Sequence, residues 1–106
     1  MSLAPVRVIV LSGGVGGARL VDGLHRGLPA GHLAALVNTG DDFVHLGLHV
    51  SPDVDTVTYT LAGLANPVTG WGRRDESWHF MDALTQLGGP WGFVTVAPPS
   101  QGCAAR

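Results

Sequence analysis

Val6-Arg7-Val8-Ile9-Val10-Leu11 is aliphatic and mostly β-branched at every position but one. Such an unbroken apolar run predicts a strand buried on both faces of a parallel sheet. A glycine-rich turn, Ser12-Gly13-Gly14-Val15-Gly16-Gly17, follows at once, and then Leu20, Val21, Leu24 and Leu28 recur at helical spacing. The spacing predicts a helix that begins near Ala18 and ends before Gly27-Leu28-Pro29. A second apolar run, Leu33 to Val37, completes a strand, turn, helix, strand unit, for which a right-handed crossover is the default.

Asn38-Thr39-Gly40-Asp41-Asp42 leaves the second strand at its carboxyl end, where open α/β sheets place ligands. Phe43 to Val50 alternates loosely and fits either a short strand or a loop carrying two histidines. Ser51-Pro52-Asp53 is a helix entry, with Asp53 or Asp55 as cap, Val57, Leu61 and Leu64 as the apolar face, and Asn66-Pro67 and Gly70 as stops. Trp71 to Glu76 is a polar loop. Trp78, Met81, Leu84 and Leu87 then predict a third helix that ends at Gly88-Gly89-Pro90. Past Trp91 only Phe93 to Val96 has a strand-like pattern, and no stable structure is expected beyond Val96.

The chain has 106 residues and a mass of 11.0 kDa, room for one domain or part of one. A net charge of −2 and a pI near 6.1 leave no basic footprint, which argues against nucleic acid as a partner. All six basic residues are arginine, a pattern better explained by codon bias than by chemistry. The single cysteine, Cys103, offers no intrachain disulfide, and the N-terminus has neither a secretory signal pattern nor a span long enough for a bilayer. A cytoplasmic protein without a membrane partner is the expectation.

Charge changes the picture in one place. Asp41, Asp42, Asp53 and Asp55 fall within fifteen positions of a chain that is only 13% charged. Together with the glycine turn they outline a site for a phosphorylated ligand and its magnesium: glycines let a ligand approach backbone N–H groups, and carboxylates hold the ion. The turn is no dinucleotide fingerprint, because Arg19 stands where the third glycine belongs, and it lacks the Lys-Ser/Thr pair of a P-loop. A tight turn without ligand, a solvated Asp41-Asp42 pair and capping aspartates are the competing explanations. His45, His49 and His79 have no zinc-site spacing, and Trp71 and Trp78 read as packing residues, although a flat aromatic ligand would benefit from one.

Taken together, Leu11 to Leu20, Val37-Asn38-Thr39-Gly40-Asp41-Asp42, Ser51-Pro52-Asp53-Val54-Asp55-Thr56-Val57 and Gly70-Trp71-Gly72 resemble the 2-phospho-L-lactate transferase family (CofD and its actinobacterial counterpart FbiA). The resemblance implies an α/β, Rossmann-like parallel sheet in three layers, as the N-terminal part of a larger domain. It implies transfer of a phospholactyl or phosphoenolpyruvyl group from a guanosine diphosphate-linked donor to the ribityl hydroxyl of the deazaflavin Fo. GMP is released, magnesium assists, and the product belongs to coenzyme F(420) biosynthesis. Asp55 matches a family aspartate that contacts Fo; Asp53, Thr56, Asn38 and Thr39 are the other Fo candidates. Gly13, Gly14, Gly16 and Gly17 are the phosphate candidates, and Asp41 and Asp42 the magnesium candidates. No catalytic residue is assigned, and a homodimer stays open.

The family's chains are longer and continue, after the equivalent of Trp91, with a Leu-Gly-Asp-Arg-Asp block that Gly92 to Arg106 does not match. Residues 1–91 are therefore expected to form the N-terminal part of such a domain and 92–106 an aberrant or disordered tail, with the chain inactive and marginally stable alone. The alternative is a non-catalytic nucleotide-sugar-binding regulator of the YvcK type, which shares the glycine turn and the Asp-Asp pair but not the Ser-Pro-Asp-x-Asp-Thr block.

Overall fold

A computed structural model describes residues 7–89. Strand β1 (Val8–Ser12) leads into helix α1 (Gly14–Gly27), which returns to strand β2 (Leu33–Val37). β1 and β2 pair in parallel, with Val8 opposite Leu33 and Ser12 opposite Val37. A hairpin of β3 (Phe43–His45) and β4 (Leu48–Val50) follows, then helix α2 (Pro52–Leu61), a looped segment and helix α3 (His79–Gln86). The class is α/β, a parallel sheet with helices, as a Rossmann-like N-terminal portion requires.

The core forms where α1 and α2 meet each other and one face of the sheet. Val10, Ala18, Val21 and Val57 are buried there, with Val8, Leu24, Leu33 and Val37 packed around them. Ala18, Val21 and Leu24 lie three residues apart on one face of α1, the spacing that brings side chains into a single stripe. His25 and Arg26 occupy its last turn, where positive charge complements the helix dipole. Leu28 N–H closes the helix on Leu24 C=O at 2.9 Å, and Pro29 prevents its continuation.

Several sequence expectations need correction. Among the described residues, β1 is covered on one face only. Val10 and Ser12 are buried, whereas Ile9 and Leu11 are 73% and 77% exposed, because α1 and α2 pack on the same side of the strand pair. The helix after the glycines begins at Gly14, not near Ala18, so Gly14, Gly16 and Gly17 belong to its first turn and Gly13 alone joins it to the strand. Gly17 is there for close approach: a Cβ would stand 2.6 Å from Ser12 Oγ.

The Phe43 to Val50 ambiguity resolves as a hairpin. Leu46 and Gly47 both take positive φ, 52° and 77°, as the two central residues of a tight two-residue turn do. Leucine seldom adopts that conformation, which is why the turn carried no sequence signal. In α2 the cap is Ser51 rather than Asp53 or Asp55. Pro52 takes the first helical position, where its missing N–H costs nothing, and both aspartates fall in the first turn, where the helix dipole favours them. The helix also stops sooner than expected. Gly63, at φ 71°, turns the chain after Leu61, so Leu64 lies outside α2. On the apolar faces read for α2 and α3, Val57 and Met81 are buried, whereas Leu61 is 41% exposed. The tail from Trp91 onward lies outside the described residues.

Candidate functional site

A cavity of about 610 Å³ opens between the first turn of α1, the β3–β4 hairpin, helix α2 and the segment from Trp71 to Trp78. Spacing along α2 builds one wall. Pro52, Asp55, Thr56 and Tyr59 recur at three and four residues and so share a face. The opposite wall is a loop folded back on itself. Ala65 bridges to Arg73 in antiparallel fashion, Arg74 N–H donates to Leu64 C=O at 2.8 Å, and left-handed backbone at Gly70, Gly72 and Asp75 makes the bends. Phe43, Tyr59, Trp71 and Trp78 give the lining its aromatic surface; Asp53, Asp55, Arg73 and Glu76 give it charge. Apolar walls with a few convergent polar groups characterise small-molecule sites.

The electrostatics follow from placement. Loss of hydration on burial raises the Asp55 carboxyl above its ordinary value of 3.8, and the nearby charge of Asp42 adds to the rise. Burial likewise raises the Tyr59 phenol, reinforced by Asp55. Asp42 moves the other way. His49 Nε2 lies 2.9 Å from its Oδ2 and Ser51 Oγ donates to the same oxygen at 2.7 Å, and these two hydrogen bonds hold its pKa down.

The Fo candidates divide between two places. Asp53, Asp55 and Thr56 line the cavity, although the Thr56 hydroxyl donates to Pro52 C=O at 2.9 Å. Asn38 and Thr39 line a neighbouring shallow groove at the carboxyl ends of β1 and β2, with Gly13. Asn38 joins the two places: its Nδ2 donates to Asp53 Oδ2 at 3.0 Å, and its Oδ1 accepts from Gly40 N–H at 3.0 Å.

Among the glycines, Gly14 lines the cavity, Gly13 lines the groove, and Gly16 and Gly17 line neither. A Cβ on Gly13 would stand 3.1 Å from Asp53 Oδ2, so this glycine makes room for a carboxylate of the protein itself. Asp41 is exposed, and Asp42 is anchored behind His49, which does reach the cavity. No group of three or more histidine, cysteine or acidic side chains converges as a metal cage among the described residues.

Sequence reasoning missed most of the aromatic lining. Trp71 and Trp78 are wall residues, not packing residues of a core, and they remain 44% and 40% exposed. The loop that carries Trp71 has no period from which a face could be read, and Trp78 was read on the packing period of α3. Tyr59 was legible in principle, four residues after Asp55 on a predicted helix.

The strand, glycine-led helix and strand, with a cavity at the carboxyl side of the sheet lined by aromatic rings and carboxylates, give an α/β unit with the concave, mixed lining typical of small-molecule sites. A family model described as 2-phospho-L-lactate transferase CofD matches residues 8–89, and the chain belongs to this family. The chain is similar to the phosphoenolpyruvate transferase of Streptomyces avermitilis, 48% identical over 83 residues that make up 78% of this chain and 26% of the relative. That of Streptomyces coelicolor is 47% identical over the same shares, and that of Mycobacterium tuberculosis is 45% identical over 96 residues, 29% of its length. The chain thus spans about a quarter of the length of the curated relatives it matches. No helix among the described residues is long and apolar enough to cross a membrane.

Proposed function

We propose that this chain supplies the acceptor-binding part of a transferase of coenzyme F(420) biosynthesis. The observation that carries the reading is the cavity itself: four aromatic residues and Asp55 help line a space of about 610 Å³. The acceptor is the deazaflavin Fo, whose flat ring suits the aromatic walls and whose ribityl chain offers hydroxyls to Asp55 and Asp53. The donor is guanosine diphosphate-linked phospholactate or phosphoenolpyruvate, and GMP leaves.

In the reaction, an acceptor hydroxyl oxygen attacks a diphosphate phosphorus, the bond from that phosphorus to the GMP oxygen breaks, and the hydroxyl proton is lost. Catalysis of this kind rests on alignment and charge neutralisation. The chain's part is orientation. Asp55 accepts a hydrogen bond from the acceptor hydroxyl, and the aromatic walls exclude water from the ring. Gly14 keeps the first turn of α1 open to the donor's phosphates, whose negative charge its dipole favours.

The residues present suit magnesium in its usual mode, in which one or two carboxylates and the substrate's phosphates share the ion with water. Asp41 and Asp42 would hold it; Asp42 Oδ1 is a buried oxygen without a hydrogen-bond partner. Bound there, the ion would offset the charge that develops on the diphosphate.

Titrating Fo with the protein, and following Fo's intrinsic fluorescence, tests the reading. Saturable binding that Asp55→Asn weakens supports it. A chain that binds the guanosine-linked donor but not Fo fits the regulator alternative instead.

A further inference from the structure

The aromatic wall of the cavity depends on a residue that has no side chain. Gly70 has φ of 77°, and a Cβ placed on it would stand 2.7 Å from Val15 Cγ1, 3.5 Å from Val15 Cγ2 and 3.4 Å from an Arg19 guanidinium nitrogen. The loop therefore rests its backbone directly on the first turns of α1.

Its remaining bonds hold it in that attitude. Gly70 N–H donates to Asn66 C=O at 2.9 Å, Asn66 Oδ1 accepts from Val68 N–H at 2.9 Å, and Asn66 N–H reaches across to Gly72 C=O at 3.1 Å. Thr69 Oγ1 donates to the carbonyl of Trp71 at 2.6 Å. Trp71 follows Gly70 immediately and lines the cavity, as does Val15.

We infer that Gly70 is a positioning residue: its bare backbone seats the loop on Val15 and thereby sets where the Trp71 ring stands in the cavity. A separation of 2.7 Å between carbon atoms is far inside van der Waals contact, so an added Cβ forces something to move. Val15 has little room to yield, because a β-branched residue in a helix is confined to one preferred rotamer and α1 is fixed by its buried Ala18 and Val21. The loop moves instead, and Trp71 moves with it. Gly14 and Val15 line the same cavity, so the seat also ties the glycine-led helix start, proposed above for phosphate, to the ring-binding wall. What the displaced wall would have held rests on the proposed acceptor reading; the seat does not.

The test uses Gly70→Asn, because asparagine tolerates left-handed backbone while it adds the Cβ. Gly63→Asn is the control, since Gly63 has φ of 71° but nothing within 4 Å of a would-be Cβ. Two readouts are taken on the whole chain: the indole N–H resonance of Trp71 and the dissociation constant for Fo. Gly70→Asn is expected to shift the resonance and to weaken Fo binding about tenfold, within the range for losing one stacked ring. Val15→Ala combined with Gly70→Asn is expected to restore most of both, and Gly63→Asn to change neither.

Val15→Ile enlarges the same contact from the helix side and is expected to shift the resonance as well, which decides the matter should Gly70→Asn fail to fold. An unmoved Trp71 resonance in folded Gly70→Asn, or a shift that Val15→Ala does not reverse, overturns the seat. A chain that shows the shift and its reversal but never binds Fo keeps the seat and refutes the acceptor reading.

Discussion

Among the described residues, the cavity and the outer face of the sheet are two open apolar surfaces that differ in kind. The cavity is concave, and its rings are mixed with Asp53, Asp55, Arg73 and Glu76. The outer face of the sheet is a strip of Ile9, Leu11, Ala34 and Leu36, set side by side by the parallel register, with Ile9, Leu11 and Leu36 at least 65% exposed. Polar groups among rings can fix the orientation of a small molecule. A bare aliphatic strip has nothing with which to orient one. It suits a further layer of packed chain, the usual cover of a parallel sheet. The comparison teaches that exposure alone does not mark a site; exposure combined with convergent polarity does.

The largest effect that can break this comparison lies within one strand. Val10→Ala removes buried methyl groups and should cost about 2 kcal/mol, whereas Leu11→Ala, on the bare face, should cost less than about 0.5 kcal/mol in urea unfolding. Equal costs would mean that the outer face is covered in solution.

Next in size is Asp55→Asn. It should weaken Fo binding about tenfold through loss of a charged acceptor while the urea midpoint holds, because asparagine is isosteric and the carboxyl is ionised there against a desolvation cost. Normal Fo binding in a destabilised variant would make Asp55 structural.

The glycines sharpen the cavity side further. Gly14→Val and Gly16→Val should each weaken binding of the guanosine-linked donor several-fold, with Gly14 the larger because its φ of 65° also disfavours a side chain. Calorimetric titration measures this. Unchanged affinity in both would leave the glycine turn a packing device.

The smallest expected effect is on pH. The pKa of Asp42 is lowered in the folded state, so its contribution to stability is present above 3.8 and is lost as pH falls through the folded value. The pKa of Asp55 is raised, so the native state binds more protons just above 3.8 and stability declines as pH climbs through the folded value. Unfolding midpoints measured across the acid range should show Asp42→Asn flattening the limb below 3.8 and Asp55→Asn flattening the decline above it.

Much of the fold was legible because it obeys simple periods. Leu33 to Val37 is a strand as read, and the spacing of Trp78, Met81 and Leu84 gives α3 with Trp78 at its start. The start of α1 was misplaced because glycine disfavours helix interiors, yet here the fold needs Gly17 to bring α1 down onto Ser12. The hairpin turn at Leu46-Gly47 went unread because leucine rarely takes positive φ, and the double-sided burial of β1 failed for a tertiary reason, both helices packing on one side of the strand pair. At the site, Asp53, Asp55 and Thr56 were visible as a block near a helix start. Trp71, Arg73 and Glu76 were not, because a loop bent by Gly70 and Gly72 brings them to the cavity without a repeat, and Trp78, though on the period of α3, was read as a packing residue.

The most direct test of the account sets the two surfaces against each other with one ligand. Fo is titrated into the wild-type chain, into Trp71→Ala/Trp78→Ala, and into Leu11→Thr/Leu36→Thr. The account predicts saturable binding that the tryptophan pair weakens by at least about tenfold, given about 1–3 kcal/mol per stacked ring, and that the sheet-face pair leaves unchanged. Fo binding that survives loss of both tryptophans, or that disappears with the sheet-face pair, would contradict it.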